Sequence, residues 1–94
     1  MRERLTDVQE RLRRARANQR VLEEQVAHLA DVESDADTRR IVAQTPLADR
    51  EWQMARTDLD RHARLLAERR VEVDELDQER DLLLDRLLEV DRAP

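Results

Sequence analysis

The sequence predicts an all-α fold: a long antiparallel helical hairpin of the two-helix coiled-coil kind, which assembles further into a helical bundle. Three observations carry this expectation. Apolar residues recur at alternating three- and four-residue spacing over two long stretches. Gly is absent and Pro stands only at positions 46 and 94, so the residues that most often break a helix are nearly missing. Charge is distributed so that an antiparallel pairing sets unlike signs side by side.

The first helix, expected over about residues 2 to 33, follows from Leu5, Val8, Leu12, Ala15, Gln19, Leu22, Val26 and Leu29, which form a heptad seam. Past Ala30 the run Asp31, Val32, Glu33, Ser34, Asp35, Ala36, Asp37 and Thr38 is rich in cap and turn formers. It predicts an interruption, with Ser34 or Asp35 restarting a short helix over about 34 to 45 that carries Ile41 and Val42. Thr45 followed by Pro46 is the strongest local signal. Thr suits the N-cap, Pro the first helical position, and Asp49 and Glu51 the positive end of a helix dipole. The second helix is therefore expected over about 46 to 90. Its seam is Trp52, Ala55, Leu59, His62, Leu66, Arg69, Val73, Leu76, Arg80, Leu83, Leu87 and Val90. A helix of this length, about 67 Å at 1.5 Å per residue, needs a partner helix along its side.

Residues 1 to 20 have a net charge of +4 and residues 71 to 92 of −6, whereas 21 to 44 carry −4 and 46 to 70 carry +1. Antiparallel pairing about a turn near residue 45 joins opposite signs throughout, and places Leu5 near Leu87, Val8 near Leu83 and Leu84, Ala15 near Leu76 and Val26 near Leu66. A turn near 37 is the competing geometry, and would leave Leu82 to Val90 without an intramolecular partner. The whole chain, 1 to 94, is expected to form this one hairpin.

Composition excludes much chemistry. Of 94 residues 44% are charged and 39% apolar, and 11 of the 37 apolar residues are Ala, which suffices for a seam but not for a layered core. Without Gly the phosphate-binding and dinucleotide loops that need positive φ are not expected. All 18 basic residues are Arg, the usage of a GC-rich bacterial genome, so no side-chain amine is present for a Schiff base. Cys is absent, which removes thiolate catalysis and disulfides. Ser34 is the sole Ser, and the many carboxylates lie along helix surfaces rather than in a concave pocket. No enzymatic activity, catalytic residue, cofactor or metal is expected. His28 and His62, with Glu24 and Glu68 nearby, are the only group that resembles a bundle metal site, and seam polarity accounts for His62 equally well.

No apolar run exceeds Leu82, Leu83 and Leu84, well below the ~20 residues that cross a bilayer, and Met1 is followed by Arg2, Glu3 and Arg4 rather than by an apolar leader. A cytoplasmic protein that does not engage membranes is expected. The function expected is that of a non-enzymatic scaffold or adaptor whose partners are itself and another protein. Leu82, Leu84 and Leu88 exceed what a two-helix seam buries. Together with Leu83, Leu87, Leu5, Val8 and Leu12 they make the expected self-association surface of a homodimer. Ile41, Val42 and Trp52 are the expected partner surface, Trp52 being a large packing residue near the turn that becomes a partner anchor where it is exposed.

Two alternatives belong to other classes. Asp31, Glu33, Asp35 and Asp37 would form an acidic tip at the bend, and a two-helix coiled coil with an acidic tip resembles, in architecture, the transcription-factor hairpins of the Gre and DksA type. That resemblance matches no motif residue by residue; it implies a regulator that inserts its tip into RNA polymerase. Arg11, Arg13, Arg14, Arg16 and Arg20 would serve a nucleic-acid binder. With a net charge of −5 and no Tyr or Phe, these Arg are expected to pair with the acidic second helix, and nucleic acid is not an expected partner.

Overall fold

A computed structural model describes residues 2 to 92, and these form two helices and a two-residue connection. Helix α1 runs over Arg2–Ala43 and helix α2 over Pro46–Arg92. The fold is an all-α helical hairpin.

The connection is built by capping chemistry. Gln44 adopts a left-handed conformation, φ 53°, and its N–H donates to the Arg40 carbonyl at 3.1 Å, closing the last turn of α1. Thr45 then caps α2, its hydroxyl accepting the Ala48 N–H at 3.2 Å, and Pro46 takes the first helical position, where its missing N–H costs nothing. A glycine-free sequence had suggested that positive φ would be avoided, yet the bend requires one residue there and Gln supplies it. Replacing Gln44 with Gly is expected to raise stability by about 0.5–1 kcal/mol, because Gly enters this region without a Cβ clash. Urea denaturation would show it as a higher midpoint at unchanged slope.

The break expected around residues 31 to 38, with a separate short helix over 34 to 45, does not occur: α1 continues unbroken to Ala43. Its heptad seam also continues, through Glu33, Ala36 and Arg40, and the polar members of this stretch find partners. Ser34 and Asp37 stay helical because each mid-helix Ser or Asp costs only about 0.5 kcal/mol. Local bonds offset that cost: the Thr38 hydroxyl donates to the Ser34 carbonyl at 3.2 Å, and Arg40 pairs with Asp37. The turn sits at residues 44 and 45 rather than near 37.

The chain divides into two compact units. The unit comprising residues 1 to 19 and 68 to 94 holds the apolar core. Val8, Leu12, Ala15, Val73, Leu76 and Leu83 are buried in one cluster, with Leu5 packed against it. Val8 shares that cluster with Leu83, and Ala15 with Leu76, as the antiparallel register requires. Ion pairs border the core: Arg16 meets Asp77 at 2.7 Å and Arg4 meets Glu79 at 3.5 Å. Asp77 also receives Arg80 at 3.1 Å, so the charge of this seam Arg is matched. Arg69, likewise at a seam position, pairs with Glu72.

Within the same unit Glu10 accepts from Arg13 at 2.7 Å and from Arg14 at 3.1 Å. The Arg13 hydrogen bond, helped by Arg14, lowers the Glu10 carboxyl to about 2. A carboxylate held below its ordinary value stabilises the folded helix above that value, and the contribution disappears as pH falls from about 4.5 to about 2. An NMR titration of the Glu10 carboxyl is expected to show a midpoint near 2 that moves upward in Arg13→Gln.

The second unit, residues 20 to 67, buries smaller side chains. Ala36, Ala48, Ala55 and Leu66 are its buried apolar residues, with Leu22, Val26, Leu29, Trp52 and Leu59 half-buried.

Candidate functional site

The sole aromatic residue, Trp52 of α2, is held by polar groups of α1. The Trp52 indole N–H donates to Glu33 at 2.9 Å, and the Arg40 guanidinium lies 4.4 Å from the ring centroid, within the range of a cation–π contact. Asp37 pairs with Arg40, and Glu33 also meets Arg56 at 4.0 Å. Trp52, expected as a packing residue near the turn and as a partner anchor where exposed, is half-buried inside a clasp of four charged residues. Sequence spacing missed the clasp because Glu33 and Arg40 occupy seam positions normally filled by apolar residues.

The clasp accounts for half of the expected acidic tip. Glu33 and Asp37 are half-buried and engaged, whereas Asp31 and Asp35 are exposed. Since α1 is continuous, Asp31 stands 13 residues before Gln44, about 20 Å back along the helix at 1.5 Å per residue. The bend itself carries Ile41, Val42 and Leu47, all exposed. It is apolar, not acidic.

Val42, at 79% exposure, and Leu47, at 60%, open onto one surface groove. Its volume is about 380 Å³, and Thr38, Arg39, Ala43, Thr45, Ala48 and Glu51 complete the lining. Leu47 was not recognised from the sequence, because it lies one position before the seam residue Ala48 and off the apolar stripe. Ile41 is exposed beside this groove without lining it.

The expected self-association residues divide. Val8, Leu12 and Leu83 are buried and the half-buried Leu5 packs against them, so these four serve the seam within the hairpin. Leu84 and Leu87 are half-buried, whereas Leu82 and Leu88 are exposed. Spacing of three and four residues brings Leu84, Leu87 and Leu88 onto one face of α2. Leu82 stands about 160° around the helix from Leu84 at 3.6 residues per turn and does not join them. The apolar flank is thus Leu84, Leu87 and Leu88.

Of the basic cluster, Arg16 pairs with Asp77 of the second helix as expected, whereas Arg13 and Arg14 pair with Glu10 on their own helix. His28 is exposed, and His62 Nδ1 lies 2.9 Å from the Asp58 carbonyl oxygen one turn earlier. Among the described residues no three His, Cys, Asp or Glu side chains are grouped to hold a metal ion. No described helix is long and apolar enough to cross a membrane. Comparison with known proteins finds no matching family model, no similar curated protein and no similar solved structure.

Proposed function

We propose that this protein is a non-enzymatic coiled-coil scaffold or adaptor that acts through helix-face recognition and associates with itself. The observation that carries the proposal is the flank formed by Leu84, Leu87 and Leu88. A seam between two helices accounts for Leu83 and partly for Leu87, but Leu88 remains 51% exposed one turn from Leu84. Contiguous leucines on the outer side of a coiled-coil seam are what packing against further helices requires. A twofold contact of this flank with its counterpart would bury all three in a bundle.

Sedimentation equilibrium tests it. The wild type is expected to form dimers or larger species, and the Leu84→Glu/Leu88→Glu variant is expected to sediment as a smaller species with its helical content unchanged. A wild type that remains monomeric at every concentration overturns self-association, as does an assembly that the paired substitution leaves intact.

A further inference from the structure

We infer that the groove at the bend is a second self-association surface, in which the bend of one copy seats on the bend of another about a twofold axis. It lies in the unit of residues 20 to 67 and is separate from the Leu84, Leu87 and Leu88 flank, so it extends the proposed scaffold role and does not depend on that flank being an interface.

The floor supplies the attraction. Val42 and Leu47 are among the most exposed large apolar side chains of the protein, and Ala43 and Ala48 lie beside them in the same groove. The two hydroxyls between its charged walls are already occupied locally. The Thr45 hydroxyl accepts the Ala48 N–H, and the Thr38 hydroxyl donates to the Ser34 carbonyl. Apart from the charged side chains of Arg39 and Glu51, the groove offers Val42, Ala43, Leu47 and Ala48, a seat suited to apolar side chains.

The rim selects the occupant. Arg39 from α1 and Glu51 from α2 both line the groove, and neither has an ion-pair partner among the described residues. One positive and one negative wall confer no net charge that would attract a strongly acidic or strongly basic partner. Such a rim is instead complementary to itself. A twofold rotation sets Arg39 against Glu51 of the second copy and Glu51 against its Arg39, while Val42 and Leu47 meet their counterparts across the axis. Arg40 does not compete for Glu51, since it is held between Trp52 and Asp37.

The test uses the full-length chain carrying Leu84→Glu/Leu88→Glu, so that association through the leucine flank is disabled. Sedimentation equilibrium of this protein is expected to show a concentration-dependent dimer, weak because the contact is smaller than a standard interface. Adding Leu47→Glu, which suits the first turn of a helix, is expected to weaken it roughly tenfold or more. Arg39→Glu alone and Glu51→Arg alone are each expected to weaken it by about tenfold, since each turns two attractions into two repulsions. The double reversal Arg39→Glu/Glu51→Arg restores a dipolar rim and is expected to recover the dimer. A mixture of the two single reversals should form a mixed dimer more tightly than either forms alone. Circular dichroism confirms that each variant keeps its helices. A monomer at all concentrations in the Leu84→Glu/Leu88→Glu protein overturns the inference, as does indifference to single reversal or failure of the double reversal to restore association. Failure of the leucine flank reads differently: the wild type and the Leu84→Glu/Leu88→Glu variant would then assemble alike.

Discussion

Replacing Leu12 with Ala is expected to lower the unfolding free energy by about 2–4 kcal/mol, the loss typical of a buried leucine whose neighbours cannot close the space. Leu12 is 3% exposed and lies in the cluster with Val73, Leu76 and Leu83. Few large buried residues share the load, so one truncation removes a large fraction of a stability that is small to begin with. Urea denaturation followed by the helical circular dichroism signal measures it, with Leu65→Ala as the comparison. Leu65 is 44% exposed, and its truncation should change stability by less than about 1 kcal/mol. Equal losses at the two positions would mean that the seam does not bury Leu12 as described.

Trp52→Ala is expected to be the next most damaging change, costing about 3 kcal/mol through lost packing and the uncoupling of Glu33 and Arg40 from the ring. Trp52→Phe separates the contributions. It retains a ring for Arg40 but removes the N–H that donates to Glu33, and is expected to cost about 1–2 kcal/mol. Glu33 remains near Arg56 in this variant, which limits the penalty. Thermal melting with a helical readout compares the two. A Trp52→Phe protein as stable as the wild type would remove the indole hydrogen bond from the account.

The helical hairpin was legible because its signals are local and repeated. Leu5 through Leu29 and Trp52 through Leu87 keep a period of seven, and Thr45 with Pro46 marks a helix start in two residues. Hidden were the positions where the seam changes chemistry. Glu33 and Arg40 keep the heptad spacing, but a reading that follows apolar residues stops at Ala30 and sees a turn in the acidic run. Their burial depends on Trp52, a residue 19 positions beyond Glu33, and neither side of that contact announces the other. The same limit applies to the leucines. Composition shows that Leu82 to Leu88 exceed the need of a seam, but only the phase of the helix separates Leu88, which is available to a partner, from Leu83, which is not. The groove at Val42 and Leu47 brings together residues on either side of the bend, where Gln44 takes a positive φ that no residue preference for that position would suggest.

The two units place unlike materials between the same pair of helices, and therefore respond to different conditions. Valines and leucines fill the core around Val8, Leu12 and Leu76, and exposing such surface carries a large heat capacity, so stability there is governed by temperature. Near the bend the buried residues are Ala36, Ala48 and Ala55, and Glu33, Arg40 and Arg56 add polar contacts around the ring of Trp52. Charges at a partly wetted site are weakened by dissolved ions. Ionic strength thus acts on the clasp around Trp52 and on the ion pairs that border the core, and heat chiefly on the core around Leu12.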